Sequence, residues 1–417
     1  MVGIGTSPLL PIRSTILLST RTLSPFAPSQ RAFSTTHLNA LSSASHPARK
    51  PVQAKDRSTP GTKHPDGSYL LFHPIYSEQE LDNVKVVHRE SKTFGDKVAR
   101  AMCTAARTVF DLATRYPDHR GVKFPPLKKQ DVEKRVGLPS NLAKQVDRFK
   151  EQQANPSTTE SAVVNTTKAD INQLSKIQDR DEEGMTLAEM RAKRLCFGPD
   201  AWLNRIIFLE TIAGVPGMVA ATCRHLQSLR LMKRDKGWIH TLLQDAENER
   251  MHLLTFMHLA KPGTIARAFA LLAQGVFYNL FFIFYLFSPR IAHRFVGVLE
   301  EEAVLTYSCI LEDIKQGRLP EWENVPAPEI AKHYWQLGDQ ALLVDVIRAV
   351  RADEATHRCI NHTLASLDYK EDPNPFASRE LEAEVRGKRY GLERQEALQW
   401  AKGEQGKVRS ESAEKTA

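Results

Sequence analysis

The chain has 417 residues, 41% of them hydrophobic, enough for a sizeable buried core and for more than one domain. Its formal charge of +8 is uneven: residues 1–55 carry six basic residues (Arg13, Arg21, Arg31, Arg49, Lys50, Lys55) and no acid, which leaves +2 for the other 362 and argues against a nucleic-acid-binding surface. Five scattered cysteines (Cys103, Cys196, Cys223, Cys309, Cys359) with no CxxC pair argue against a disulfide framework or a zinc ribbon.

Residues 1–50 are basic, acid-free and rich in Ser and Thr, the composition of a mitochondrial transit peptide. Arg31-Ala32-Phe33-Ser34-Thr35-Thr36 resembles a matrix-processing site. A secretory signal does not fit, because Ile16-Leu17-Leu18 is too short an apolar run and lies between Arg13 and Arg21. The alternative is a Ser-rich tail without targeting meaning. Residues 51–95 read as an irregular N-terminal arm.

Residues 96–200 hold a helix followed by a polar stretch. Val98, Met102, Ala105, Val109, Phe110 and Ala113 recur at helical spacing from about Asp96 to Tyr116. Beyond it the chain is polar and charged, as in Gln152-Gln153-Ala154-Asn155-Pro156, and is read as a surface insertion or linker.

Residues 201–376 change character. Long apolar-periodic segments are predicted at about 202–233, 238–260, 264–287, 290–316 and 339–367. Lys236-Gly237, Pro262-Gly263, Ser288-Pro289 and Gly317 with Pro320 separate them. Gly214-Val215-Pro216-Gly217 is expected to kink the first. Almost no period-two alternation occurs, so the fold class is all-α: a ferritin-like four-helix bundle with additional membrane-surface helices. Residues 377–417 are expected to form a charged C-terminal tail, solvated or loosely helical.

Two segments look suited to a membrane surface. Residues 268–287 carry no charge and include Phe277-Tyr278-Asn279-Leu280-Phe281-Phe282-Ile283-Phe284-Tyr285-Leu286-Phe287. Roughly 20 apolar residues suffice to span a bilayer, but Gln274, Asn279 and the dense aromatics favour an interface. In the Trp202–Leu231 segment, Arg205, Arg224, His225 and Arg230 interleave with Ile206, Ile207, Val219, Leu226 and Leu229, a pattern read as a half-inserted amphipathic helix. A true span, or an ordinary core or dimer interface, are the alternatives.

The candidate chemistry lies in two Glu-x-x-His motifs, Glu249-Arg250-Met251-His252 and Glu354-Ala355-Thr356-His357. Spacing i, i+3 puts both side chains of each pair on one helix face. Glu210 stands alone among Ile206, Ile207, Phe208, Leu209, Ile212 and Ala213, and Glu300 lies in Leu299-Glu300-Glu301-Glu302-Ala303. A carboxylate on a buried face needs a cation or a proton. The order Glu, ExxH, Glu, ExxH matches ferritin-like di-iron and di-manganese bundles, and so many oxygen donors favour Fe or Mn over zinc thiolate chemistry. Spacing alone leaves open that Glu210 pairs with an Arg and that the histidines are ordinary interhelical contacts. Glu301 is read as solvated or as a support for its neighbours. Tyr307 follows Glu300 by seven residues, on the same face, either to relay an electron and proton or to pack the core.

Leu209-Glu210-Thr211, Ala213-Gly214-Val215-Pro216-Gly217-Met218, Asn248-Glu249-Arg250-Met251-His252-Leu253, Leu299-Glu300-Glu301-Glu302-Ala303 and Arg351-Ala352-Asp353-Glu354-Ala355-Thr356-His357-Arg358 together resemble the signature motifs of the mitochondrial alternative oxidases. The resemblance runs from about Trp202 to Phe376. It implies a ubiquinol oxidase, resistant to cyanide and without proton pumping, that reduces O2 to water at two Fe ions. The ligands it implies are Glu210, Glu249, His252, Glu300, Glu354 and His357, with Tyr307 as redox tyrosine. Arg205, Leu209, Glu302, Ala303 and Thr306 would line the quinol site, and Asn248, Asp353 and Trp335 would stand behind the ligands. It further implies a homodimer lying monotopically on the matrix side of the mitochondrial inner membrane, in contact with its lipid. Residues 120–199 exceed the compact link usual in the family, and Cys103 is the one candidate for a regulatory disulfide, although a buried helix thiol suits it better. The competing readings are an iron-storage bundle, a di-iron quinone hydroxylase or plastid-type quinol oxidase, and a non-enzymatic membrane-surface protein.

Overall fold

The computed structural model describes residues 74–114, 116, 124–128, 184–377 and 381–403; the stretch read as a transit peptide and most of the polar insertion lie outside the described residues. The described chain is helical: α1 (Glu78–Asp82), α2 (Phe94–Thr114), α3 (Leu187–Ala192), α4 (Pro199–Leu231), α5 (Trp238–Ala260), α6 (Thr264–Phe287), α7 (Pro289–Lys315), α8 (Glu329–Tyr334), α9 (Leu343–Leu364) and α10 (Ala383–Lys388). A last helical stretch, α11, covers 394–403.

Local chemistry starts and stops these helices where the breakers predict. Pro199 and Pro289 occupy the first turns of α4 and α7, where a missing N–H costs nothing, and Ser288 accepts from the Ile291 amide at 3.3 Å. Met232 and Lys261 end α4 and α5 in left-handed conformation. Pro216 lies inside α4, which continues as one helix through it.

Helices α4, α5, α7 and α9 form the bundle. They pack as two close pairs, α4 with α5 and α7 with α9, which meet one another more sparsely. Glycines set both close pairings. A Cβ on Gly217 would stand 2.7 Å from the Leu242 carbonyl oxygen across α4 and α5, and one on Gly297 would stand 2.7 Å from His362 Nδ1 across α7 and α9. Each bundle helix contributes to two apolar clusters. Val219, Leu242, Phe295 and Leu364 join one, and Ile206, Phe256, Ile310 and Ile347 join the other. On every helix the predicted ligands fall between these two stretches, so the four helices deliver six polar side chains to one level of an otherwise apolar core.

Around the bundle, α6 lies against α4 and α7, and α2 lies along α7. Helix α6 buries Phe281 and Tyr285 but exposes Ile265, Phe269, Leu271, Leu272, Val276, Leu280, Ile283, Leu286 and Phe287. It and α4 are long and apolar enough to cross a membrane by length and composition alone. Helix α4 is half buried in the bundle, and its basic residues depart from the amphipathic reading. Arg205 and Arg224 are buried, because each has an acid and aromatic rings to meet. Arg205 pairs with Asp111 at 2.6 Å, and Arg224 pairs with Asp235 at 2.6 Å and stacks over Trp238. His225 and Arg230 remain exposed.

The charged tail is also corrected over its described part. Leu381, Val385, Leu392 and Ala397 are buried in the core, and Arg358 of α9 donates to the carbonyls of Gly387 and Arg389. Residues 381–403 are therefore packed on the bundle: an apolar residue every few positions was enough to seat a segment whose remaining side chains are charged. Of the insertion, its described ends meet in a backbone bridge between Leu127 and Met185, and Arg191 of α3 holds Glu321 at 2.7 Å.

Candidate metal centre

Glu210 on α4, Glu249 and His252 on α5, Glu300 on α7, and Glu354 and His357 on α9 are all buried. They converge as two overlapping groups, Glu210–Glu249–His252–Glu354 and Glu249–Glu300–Glu354–His357, each able to present one ligand atom per residue to a common point. Glu249 and Glu354 belong to both groups, the arrangement expected of carboxylates that bridge two ions.

Around His252 the spacing of these atoms suits an ion better than hydrogen bonds, whereas His357 Nδ1 stands 2.6 Å from Glu249 Oε1. His252 Nδ1 stands 3.3 Å from Glu249 Oε2, 3.4 Å from Glu354 Oε1 and 3.5 Å from Glu210 Oε2. His252 Nδ1, Glu210 Oε2 and Glu249 Oε2 make no hydrogen bond among the described residues. Donor atoms about 2.1 Å from a shared metal at tetrahedral or octahedral angles stand roughly 3.0–3.4 Å apart. Two divalent ions would also balance the four carboxylates, which otherwise crowd like charge into a desolvated core.

The strain on protonation shows that crowding. Burial pushes the Glu210 carboxyl up to about 8, although His252 pulls the other way. Glu300 is raised well above the usual carboxylate range by burial and then by Glu354 and Glu249. Glu249 is held well below it: burial opposes ionisation, but His357 and His252 outweigh burial. Both imidazoles are raised: burial opposes their charge, but the surrounding carboxylates, Glu249 foremost, together outweigh it. Metal ions bound here would take the place of protons on these groups.

The groups behind the ligands are also gathered. His252 Nε2 donates to Asp353 Oδ2 at 2.9 Å, so Nδ1 is the nitrogen that faces the carboxylates. Trp335 Nε1 at 2.8 Å and Asn248 Nδ2 at 3.0 Å donate to the same oxygen. Tyr307 donates its hydroxyl to Glu210 Oε1, and burial raises its pKa well above the ordinary tyrosine value.

The five residues expected to line the quinol site lie on the faces of α4 and α7 that α2 approaches. Arg205 donates to Asp111 and to Thr114 Oγ1 at 3.0 Å, and stacks over Phe110 and Tyr116. Glu302 pairs with Arg107, Thr306 donates to the Glu302 carbonyl at 2.8 Å, and Leu209 and Ala303 are half-buried. The cavity that touches the Glu/His cluster lies elsewhere, lined among others by Asp245, Glu249, Glu300, His357, Asn361 and Tyr285, and none of the five borders it.

Glu301 corrects its reading as a solvated residue. It is fully buried, and four groups converge on it: His362 Nε2 at 2.8 Å, the Arg89 amide at 2.8 Å, His88 Nδ1 at 3.0 Å and Arg100 Nη2 at 3.1 Å. These hold it well below the ordinary range against the cost of burial. Sequence reasoning also passed over Asp245, whose carboxyl burial lifts to about 7 and whose Oδ1 lies 4.0 Å from His357 Nε2. Its spacing with Glu249 and His252, i, i+4 and i+7 on one helix face, was the available signal. Cys103 is buried in α2, and burial pushes its thiol up to about 12, which leaves it inert as a regulatory thiol.

A family model described as alternative oxidase matches residues 76–366. Among relatives named "Alternative oxidase, mitochondrial", the protein of Cryptococcus neoformans var. grubii is 46% identical over 346 residues, 83% of this chain and 73% of its own length. That of Ajellomyces capsulatus is 41% identical over 312 residues, 74% and 69% of the two chains. That of Neurospora crassa is 40% identical over 361 residues, 86% and 80%. These matches set aside the storage, hydroxylase and non-enzymatic readings. The chain belongs to the alternative oxidase family, mitochondrial oxidoreductases that use ubiquinol and O2.

Proposed function

We propose that Glu210, Glu249, Glu300, Glu354, His252 and His357 hold two iron ions, Glu249 and Glu354 shared between them, and that ubiquinol is oxidised beside them. The overall balance is two ubiquinol and one O2 giving two ubiquinone and two water, so the protons released by the quinol equal those consumed and none need be pumped. Iron held there would supply O2 binding and its four-electron reduction. The observation that carries this reading is the buried set of four carboxylates and two imidazoles, within which His252 Nδ1 stands 3.3 Å from Glu249 Oε2 and 3.5 Å from Glu210 Oε2, none of the three making a hydrogen bond among the described residues.

The remaining roles fall to the chain. Tyr307, bonded to Glu210, is placed to move a proton at its hydroxyl between the quinol side and the ligand carboxylate. Asp353 keeps the Nε2 proton on His252, so Nδ1 stays available as a ligand. Arg205, Leu209, Glu302, Ala303 and Thr306 are assigned to the quinol, with the Arg205 guanidinium as the group that binds a quinol oxygen. The apolar core on either side of the ligand level excludes water from the site.

Surface chemistry supports a membrane location. Nine large apolar side chains exposed on α6, with Phe94, Val109 and Leu112 on α2, are too many to leave in water. We assign them to one leaflet of the mitochondrial inner membrane on its matrix side, entered monotopically, so that a lipid-soluble quinol reaches α2, α4 and α7 from the bilayer. Residues 1–50 are assigned to import, and the working form to a homodimer. Oxygen uptake by the iron-loaded chain with a short-chain ubiquinol and cyanide tests the activity. Rapid uptake at two quinols per O2 is expected; no uptake with iron bound contradicts it.

A further inference from the structure

Asp353 is the hub behind His252, and one of its two oxygens is crowded. Oδ2 accepts from His252 Nε2, Trp335 Nε1 and Asn248 Nδ2 at 2.9, 2.8 and 3.0 Å. Three donors on one oxygen leave Oδ1 to be held by something else, or the carboxylate can swing and share its charge unevenly with the histidine. The donor on Oδ1 is the hydroxyl of Tyr76, which comes from the N-terminal arm, 277 positions away in sequence and outside every periodic helix.

The arm is built to keep that hydroxyl in place. Tyr76 is buried against the cluster that contains Tyr334 and Trp335, and the Arg386 guanidinium lies 5.3 Å over its ring. Directly after it, Ser77 and Glu80 cap α1 reciprocally. Arg348 of α9 then grips Glu78 at 2.8 Å and Asp82 at 2.7 Å, Arg351 donates to the Leu81 carbonyl at 2.8 Å, and Arg386 of α10 pairs with Glu80. Two arginines of α9 and one of α10 therefore grip four residues of the arm, and the two on α9 tie it to the helix that carries Asp353, Glu354 and His357.

We propose that Tyr76 is a positioning residue for the metal centre: through Asp353 Oδ1 it fixes the carboxylate that orients His252, and so tunes one of the two ion sites from the N-terminal arm. The inference rests on the di-iron reading above. It carries a directional consequence. A phenol donating to Oδ1 draws charge away from the carboxylate and moderates the pull of Oδ2 on the His252 proton. Losing it strengthens that pull slightly but lets the carboxylate swing, and the lost orientation dominates, so the imidazole holds its ion more weakly at the group containing Glu210 and His252 alone.

The test compares the full-length wild-type chain with Tyr76→Phe, which keeps the ring and its packing and removes one oxygen. Anaerobic Fe(II) titration against a chelator should show affinity weakened by about 10- to 100-fold, the usual effect of removing a supporting group behind a ligand. Mössbauer spectra of the diferrous form should show one of two iron environments altered and the other unchanged. A further comparison is Asp353→Asn with and without Tyr76→Phe. If Tyr76 acts through Asp353, the double variant binds iron no worse than Asp353→Asn alone. Wild-type affinity and both wild-type iron environments in Tyr76→Phe overturn the proposal, as do additive losses in the double variant. Failure of the wild-type chain to bind iron at all contradicts the di-iron reading instead.

Discussion

Arg294 on α7 directs Nη1 to Nδ1 of His362 on α9, 2.9 Å away. A guanidinium only donates, so Nδ1 is the accepting nitrogen, and Nε2 must carry the proton that goes to Glu301 at 2.8 Å. The ring is thus neutral in the fold, in agreement with burial lowering its pKa to about 4. His293 is built alike, donating from Nδ1 to Asn361 Oδ1 at 3.0 Å and accepting from Tyr285 at 2.9 Å, with burial lowering its pKa to about 4.

Both shifts predict loss of stability on mild acidification. The unfolded chain binds a proton at each ring near pH 6.5, and the folded chain resists until about pH 4, so stability is complete above 6.5 and falls as pH drops through that window. The ceiling is about 3 kcal/mol for each ring. Thermal melting of the wild-type chain at pH 7, 6, 5 and 4.5 should follow this fall, and His293→Gln, which takes up no proton there, should melt lower at pH 7 but lose less between pH 7 and 4.5. Parallel curves contradict the assignment.

Tyr307→Phe should retain two irons per chain and lose turnover by at least ~100-fold, since a proton-moving group is removed and no ligand is touched. Glu210→Ala should instead lose iron and activity together. Iron content and O2 uptake on the same preparations separate the two outcomes.

Arg205→Leu should raise the KM for ubiquinol by about 10- to 100-fold, the worth of a charge-assisted hydrogen bond, with iron content unchanged. Its partner variant Asp111→Asn should act in the same direction and more weakly, because it loosens the guanidinium that the ion pair holds at 2.6 Å. A changed iron content with an unchanged KM contradicts the assignment of this face to the quinol.

Phe269, Leu272 and Ile283 are each more than half exposed on α6. Replacing all three with Glu should release the chain from vesicles in a flotation assay, at about 1.5–3 kcal/mol per apolar side chain withdrawn from lipid, while helix content stays the same. Retention on the vesicles contradicts the membrane assignment of α6.

The residues that converge in the Glu/His cluster were legible in sequence because helix periodicity is local. Two ExxH pairs, one isolated Glu among aliphatics and Pro or Gly at each boundary need only neighbouring residues to be read. What was misread depends on partners far away in the chain. Glu301, inside an acidic triplet, looked like surface, yet its partners His88, Arg89, Arg100 and His362 come from three other segments. Arg205 and Arg224 looked like the polar side of a half-inserted amphipathic helix until Asp111 and Asp235 were brought to them. Tyr76 had no pattern at all, since an irregular arm carries no period to reveal which side chain points inward.

Anaerobic titration of the metal-free chain with Fe(II) tests the central claim most directly, run beside Glu249→Ala. Two equivalents bound per wild-type chain and neither held tightly by Glu249→Ala are predicted, because that carboxylate belongs to both ligand groups. One equivalent or none in the wild-type chain, or an undiminished pair in the variant, contradicts a shared two-iron centre.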